Sequence, residues 1–341
     1  MAHQSLYRTY RPSSFKDVVG QDQVTGPLTE QMRAEKVGHA YLFAGSRGLG
    51  KTSIARIFAR ELGTTEKDLY EIDAASNTGV DNIRSLTENV YTLPFESKYK
   101  VYILDEAHML SKGAWNAFLK TLEEPPAHVI FIMATTELEK VPETVRSRSQ
   151  VFEFKKPTRL VLAKHVTDIA KKEKYSMEPA AADLIALLAE GSYRDALSVL
   201  EKVFSVSKDS KVTLAEAEIA TGAPKRALVL SLAKALSAGD AGEALTAIRR
   251  AAGQDVDMQL YLTLLLESLR AILLIRHAPE LRKELAEEAG EEYAELEALA
   301  KDTESKLTHK TLAAFLDAAS RMRFSPVPAL SLELAVLESC K

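Results

Sequence analysis

The run Gly45-Ser-Arg-Gly-Leu-Gly-Lys51-Thr52 follows the pattern G-x-x-x-x-G-K-[ST] and comes directly after the apolar stretch His39-Ala-Tyr-Leu-Phe-Ala44. A loop of this kind, set between a strand and a helix, turns its backbone N–H groups inward around the phosphates of a nucleotide. Gly45, Gly48 and Gly50 are its glycines; Lys51 is placed to reach the β- and γ-phosphates, and the Thr52 hydroxyl to hold Mg2+. Ser53 begins a helical period whose positive end faces the same anion. A plain Gly-rich turn would not require Lys and Thr at those two places.

Further along, Val101-Tyr-Ile-Leu104-Asp105-Glu106-Ala-His108 reads as a strand ending in two adjacent carboxylates. Open α/β sheets bind their ligands at strand ends. Asp105 is suited to hold Mg2+ through water, and Glu106 to polarise a water for attack on a γ-phosphate; the bland reading is a capped strand end. His108 reads as a packing or polar-core residue with no catalytic role. Val129-Ile-Phe-Ile-Met-Ala-Thr135-Thr136 is a second buried strand ending in hydroxyls, placed to sense a γ-phosphate or orient the water, although Thr-Thr ends many strands. Arg146-Ser147-Arg148-Ser149 is either a solvated turn or the source of an arginine finger, which is worth roughly 10³–10⁵ in rate. Ser192 and Asp195 match a capping box. Arg194 then falls in the first helical turn, where a cation is disfavoured unless an anion is near. It is therefore read as a γ-phosphate contact, against the alternative of a surface arginine.

These residues need a scaffold that brings strand ends together. Apolar runs at His39–Ala44, Leu69–Ile72, Val101–Leu104, Val129–Ala134 and Val151–Phe154 alternate with helical periods near Ser53–Leu62, Val80–Val90 and Gly113–Glu124. Such alternation predicts an α/β fold with a five-stranded parallel sheet and helices on both faces. Upstream, Arg11-Pro12 marks an extended segment, and Gln23–Lys36 reads as a helix with a break near Gly26-Pro27. After Lys156-Pro157 the strand signal disappears. Helices are predicted near 158–172, 178–190, 193–205 and 214–220, with a linker at Thr221-Gly-Ala-Pro224. From 225 onward the pattern is helical, with breaks near Gly239, Gly253, Pro279 and Gly290 and a turn at Ser325–Pro328; the charged run Glu284–Glu297 reads as a solvated helix face.

The formal net charge of −4 creates no global attraction to nucleic acid, so any such contact must come from local basic positions. With Cys340 the single cysteine, disulfides and Cys-based zinc sites within one chain are excluded, and a reducing compartment fits. The first residues lack the apolar core of a signal peptide, and the apolar stretch Met258–Ile275 is interrupted by Glu267 and Arg270. A cytoplasmic protein with no membrane association is the expectation.

Taken in order, several motifs carry a family resemblance. They are Tyr-Arg-Pro with Val-Val-Gly-Gln, the P-loop, Ile72-Asp-Ala-Ala-Ser-Asn77, Asp-Glu-Ala-His-Met-Leu, Leu119-Lys-Thr-Leu-Glu-Glu-Pro-Pro126, Ala-Thr-Thr, Ser-Arg-Ser and Gly-Ser-Tyr-Arg-Asp-Ala-Leu. The chain resembles the gamma/tau subunits of the bacterial DNA polymerase III clamp loader, which are AAA+ ATPases. The likeness is dense over residues 6–205 and thinner in the last helix, Pro328–Glu338. It implies an AAA+ core over 1–157, a small helical lid over 158–222 and an all-α collar for oligomerisation over 223–341. It further implies ATP with Mg2+, a hetero-pentameric ring with other clamp-loader subunits, a sliding clamp and primer-template DNA. By position, Lys51 and Thr52 correspond to Walker A, Asp105 and Glu106 to Walker B, Thr136 to sensor 1, Arg148 to the finger and Arg194 to sensor 2. Tyr7, Arg11, Pro12, Val18 and Val19 fall where that family encloses the adenine. Arg148 would act on the nucleotide of a neighbouring subunit.

The departures carry expectations of their own. Leu62-Gly-Thr-Thr-Glu-Lys-Asp-Leu69 replaces the family's four-cysteine insert, so no zinc is expected. Ser149 stands where the family usually has Cys, which leaves the arginine in place. The chain ends with the collar helix, which suggests a gamma-like role. A replication factor C-type small subunit shares the chemistry, but Phe-Ala-Gly-Ser-Arg-Gly and Ile-Asp-Ala-Ala-Ser favour the bacterial family. A DEAH-type helicase would need a second motor domain, and a non-hydrolysing structural subunit would not need Lys51, Thr52, Asp105 and Glu106 together. Thr78, Arg84 and Lys112 are candidate DNA-phosphate contacts, each with plain surface as the alternative.

Overall fold

The computed structural model describes residues 4–254, 256–289, 292–322 and 324–340. By packing, the chain divides into two units. One holds the residues up to Ile169 with Ala186–Ser198, the other Ala170–Ile185 with Val199 onward. The helices over 159–172, 179–188 and 193–206 are thus each shared between the two units.

The first unit begins with α1 (Leu6–Thr9), α2 (Asp22–Arg33), β1 (Ala40–Ala44), α3 (Lys51–Glu61), β2 (Leu69–Asp73) and α4 (Val80–Val90). It continues with β3 (Lys100–Asp105), α5 (Lys112–Glu123), β4 (Val129–Thr135), α6 (Glu143–Arg146), β5 (Gln150–Glu153) and the start of α7 (Arg159–Lys172). The strands form one parallel sheet in the order β2-β3-β4-β1-β5. β1 and β4 are buried along their whole length, as their unbroken apolar sequences require in a sheet covered on both faces. The edge strands β2 and β5 hold only half-buried and exposed positions.

Period-2 alternation sends side chains into two layers. Leu42, Tyr102, Leu104, Phe131 and Met133 meet Ile83 and Leu86 of α4 and Trp115 and Phe118 of α5. Tyr41, Phe43, Ile103 and Ile132 meet Val24 and Leu28 of α2 and Ile54 and Phe58 of α3. α2 runs through Gly26-Pro27 without the expected break, because Val24 and Leu28 are both 0% exposed and pin it to the sheet. Pro27 forfeits a hydrogen bond there, and the buried face outweighs it.

Asp68, just before β2, is 0% exposed and accepts from the backbone N–H groups of Phe95, Glu96 and Ser97 at 2.5, 2.9 and 2.8 Å. Burial would raise its pKa, but these donors overcome it and hold the carboxyl at about 2. The folded value is depressed, so this contribution to stability is complete above the ordinary value of 3.8 and disappears as pH falls through about 2. Asp68→Asn should lower Tm at neutral pH by on the order of 5 °C, and should flatten acid destabilisation in that window. Melting curves followed by circular dichroism test both.

In the second unit, the end of α7 leads to β6 (Ser176–Met177) and α8 (Pro179–Leu188). α9 (Tyr193–Val206) is followed by β7 (Lys211–Val212) and α10 (Leu214–Thr221). β6 and β7 pair in parallel, a small sheet that the loss of strand signal after 157 did not predict; two-residue strands are too short to show a period. The remaining helices are α11 (Arg226–Ala238), α12 (Ala241–Ala252), α13 (Met258–His277), α14 (Arg282–Ala289), α15 (Tyr293–Lys301), α16 (His309–Met322) and α17 (Pro328–Ser339). α13 is long and apolar enough to cross a membrane by length and composition alone. Here its Tyr261, Leu262, Leu265, Leu269 and Ile272 lie in the hydrophobic core.

Helix ends fall at Gly239, Gly253 and Pro279 as expected; the break expected at Gly290 lies outside the described residues. One break had no sequence signal. Between α15 and α16 the chain leaves the helix without Gly or Pro, and the Arg276 guanidinium collects the carbonyls of Leu299, Ala300 and Leu307 at 3.1, 3.1 and 2.8 Å. The charged run Glu284–Glu297 is divided between α14 and α15 rather than forming one solvated face, and it buries Leu285 and Leu296.

Candidate nucleotide-binding site

In a parallel sheet every strand's carboxyl end lies on the same edge. Ala44 of β1 pairs with Thr135 of β4, Leu104 of β3 with Met133 of β4, and Asp73 of β2 with Asp105 of β3. The P-loop therefore leaves the sheet on the same edge as the carboxylates of β3, with the end of β4 between them. The loop's glycines are forced by its path. Gly50, at φ +92, caps α3 in a left-handed conformation that L side chains rarely adopt. A Cβ on Gly48 would lie 1.9 Å from Ser192 Oγ. That close approach continues along the backbone, where the N–H of Tyr193 donates to Gly48 O at 3.2 Å.

A cavity of about 720 Å3 opens here, wholly within the first unit. Its lining includes Tyr7, Arg11, Pro12, Val18, Val19, Gly48, Gly50, Lys51, Thr52, Ser53, Asp105, Glu106 and Arg194. Sequence reasoning named all of these as site residues. Lys51 is 6% exposed, and its Nζ donates to the carbonyls of Gly45 and Ser46 at 2.6 and 2.9 Å. Burial lowers its pKa, opposed by the charges of Glu106 and Asp105. Thr52 Oγ1 donates to Asp105 Oδ2 at 2.8 Å. Glu106 leaves β3 in the left-handed region at φ 48, a conformation that costs of order 1–3 kcal/mol in a non-glycine residue. Its carboxylate accepts from Thr136 Oγ1 at 3.2 Å. Thr135 is fully buried and turns to His108 instead.

The N-terminal segment is tied down by the chain that leaves β5, the strand beside β1. Gln21 is 1% exposed; its amide donates to Lys155 O at 2.8 Å and its oxygen accepts from Lys155 N at 3.2 Å, which fixes Val18 and Val19 in the wall. Arg11 Nε donates to Ser53 Oγ at 2.9 Å. The guanidinium of Arg194 lies 4.7 Å from the centre of the Tyr7 ring, a cation–π distance. A hydrogen bond from Ser5, followed by those from Arg8 and Arg194, holds the Tyr7 hydroxyl down at about 8. Ser192 Oγ caps α9 by accepting from Asp195 N at 3.2 Å, one half of the expected capping box; the Ser192 N–H donates to Ala189 O at 2.8 Å instead of to Asp195.

The remaining site candidates lie outside the lining. Gly45 shapes the loop, at φ +148 and packed on Phe154. Thr136 reaches the site through Glu106. Arg148 is directed elsewhere within its own chain, where its guanidinium donates to Glu123 Oε1 at 2.7 Å and to Thr144 O at 2.9 Å. Sequence reasoning missed His165 and Tyr193, which also line the cavity. Tyr193 donates to Val19 O at 2.8 Å, packs edge-on against His165 with centroids 5.3 Å apart, and is pushed up to about 12 by burial. Tyr193 lay inside the motif that identified Arg194 and was open to notice; His165 had no local signal. Of the DNA-contact candidates, Thr78, Arg84 and Lys112 are all exposed, and Arg84 pairs with Asp81 at 3.6 Å.

The donor set fits the implied ligands. Thr52 and Asp105 offer hard oxygens side by side, as Mg2+ prefers. A buried lysine and a loop shaped by left-handed glycines suit phosphate oxygens. Among the described residues no cluster of His, Cys, Asp and Glu could hold a metal ion on its own.

Fold and site together define the class: a P-loop protein of the AAA+ type, with its phosphate loop after β1 and paired carboxylates two strands away at the end of β3. Thermotoga maritima RuvB, described as a Holliday junction branch migration motor, superposes with a TM-score of 0.54 at 20% identity, covering 85% of this chain and 90% of its own, a likeness of fold alone. Family models match in succession: DNA polymerase III, delta subunit, over 65–158; DNA polymerase III clamp loader subunit, ATPase lid domain, over 161–208; and DNA polymerase III subunits gamma and tau, domain III, over 212–341. DNA polymerase III subunit tau of Bacillus subtilis is 37% identical across 100% of this chain, and that of Escherichia coli K12 is 37% identical across 82%. Subunit gamma/tau of Mycoplasma genitalium is 40% identical across 71%. The chain belongs to the gamma/tau family of DNA polymerase III clamp-loader subunits. It spans 64%, 46% and 44% of the lengths of these three relatives respectively.

Proposed function

We propose that this chain is an ATP-hydrolysing motor subunit of a DNA polymerase III clamp loader, which loads a sliding clamp onto primer-template DNA during cytoplasmic DNA replication. The observation that carries this is the Thr52–Asp105 hydrogen bond at 2.8 Å, which joins Walker A to Walker B in one cavity with Lys51 and Glu106. Lys51 and the P-loop N–H groups bind the β- and γ-phosphates. Thr52 and Asp105 would hold Mg2+, which would neutralise charge on the phosphates when bound. Glu106 takes a proton from the attacking water, and Thr136 orients Glu106. Arg194 contacts the γ-phosphate, and Tyr7, Arg11, Pro12, Val18 and Val19 enclose the base. Arg148 serves a neighbouring subunit.

The reading includes an AAA+ core over 1–157, a lid over 158–222 and a collar over 223–341, assembled into a hetero-pentameric ring. α17 supports the collar role. Leu332, Ala335 and Val336 of this helix are buried, while Leu330, Leu334 and Leu337 on its other side are 44%, 45% and 49% exposed, a leucine stripe suited to a helical partner. The test is steady-state ATP turnover by the chain alone, with its partner subunits, and then with clamp and primer-template DNA. Turnover should rise at each step. A flat response to clamp and DNA would refute the clamp-loading role while leaving the ATPase reading intact.

A further inference from the structure

His108 lies outside the cavity lining, yet its side chain is only 7% exposed and sits between two carboxylates. Nδ1 lies 3.1 Å from Thr135 Oγ1 and 3.5 Å from Glu106 Oε2, and Nε2 lies 3.3 Å from Glu137 Oε1. The other oxygen of Glu137 accepts from Lys140 Nζ at 2.7 Å, a contact that holds this carboxyl below the usual range. The N–H of Glu137 donates to Thr135 Oγ1 at 3.1 Å, and Thr136 donates to Glu106 at 3.2 Å. The imidazole is therefore pinned by Nδ1 to the last residue of β4 and by Nε2 to Glu137 just after it. Its Nδ1 edge is held beside the Glu106 carboxylate, whose other neighbour is Thr136.

We propose that His108 is a positioning residue for Glu106, coupling the Thr135–Glu137 segment to the direction in which that carboxylate points. The proposal rests on the ATPase reading, with Glu106 as the group that activates water. A base acts only within hydrogen-bond reach of the proton it takes. A ring that narrows the carboxylate's range therefore affects the chemical step and leaves nucleotide binding alone. The pinning is specific to one edge of the ring. An amide in Asn reaches the place of Nδ1, whereas an amide in Gln reaches the place of Nε2.

The test compares His108→Phe, His108→Asn and His108→Gln in the chain reconstituted with its partner subunits, clamp and primer-template DNA. Turnover and ATP affinity are measured separately. His108→Phe should lower kcat about tenfold with the ATP Kd within about twofold. His108→Asn should recover most of that loss and His108→Gln little. In a Glu106→Gln background, adding His108→Phe should cost nothing further, because the residue acts through Glu106. Wild-type kcat in His108→Phe, equal recovery by Asn and Gln, or an undiminished loss in the Glu106→Gln background would each overturn the proposal. If the Phe variant does not fold, the Asn and Gln pair decides the matter. ATP binding without turnover in the wild-type complex is a different result and counts against the ATPase reading itself.

Discussion

Lys51→Ala is expected to reduce ATP turnover by on the order of 10³-fold or more, with nucleotide affinity falling alongside it. The reason lies in where the ammonium sits. Lys51 is 6% exposed, and the charges of Asp105 and Glu106 act on it. Removing it takes away a cation that the phosphates need. It also removes a positive charge that offsets those two carboxylates beside the polyanion. The fold should survive, because α3 keeps its buried Ile54, Ile57 and Phe58. Turnover in the reconstituted complex, ATP titration and circular dichroism on the same preparation separate these effects. Normal turnover in a folded variant would overturn the P-loop reading.

Arg148→Ala should leave ATP binding by the isolated chain unchanged and cut hydrolysis in the assembled complex by roughly 10³–10⁵ per site served. Within its own chain Arg148 is absent from the cavity lining and is held by Glu123 and Thr144. Its side chain is 36% exposed, so the pair with Glu123 contributes little to stability, and releasing it toward a neighbour is inexpensive. Turnover by the isolated chain equal to that of the complex would show that no neighbour's arginine is needed. A shift in ATP affinity of the isolated variant would place Arg148 at its own site instead.

Much of the site was legible because its chemistry is local. The P-loop is contiguous, and the Asp105-Glu106 pair closes an unbroken apolar strand, so both could be named from residue type and spacing. Gln21 and Arg148 show where that reasoning stopped. Val-Val-Gly-Gln was noticed as a motif, but the reason for Gln21 is a pair of hydrogen bonds to Lys155, 134 residues along the chain. Arg148 could be read as a turn or a finger, and the folded chain adds that it lies outside the lining of its own cavity. The same limit explains the misread elements. Pro27 signals a break, yet α2 holds because two side chains beneath it are buried. The chain between α15 and α16 carries no breaker, yet Arg276 draws its carbonyls out of the helix.

The sequence alone determined the alternation of strands and helices, the phosphate loop and the carboxylate pair, because each is written in neighbouring residues with a fixed period or pattern. The tertiary structure decided which of those residues meet. Strand order is a long-range choice; once β1 was set between β4 and β5, the P-loop, the end of β3 and the hydroxyls after β4 shared one edge. That arrangement also placed His108, which had looked like packing, between Glu106 and Glu137. No spacing rule links the turn Ala107–Met109 after β3 to the end of β4, so only the folded chain could show that contact.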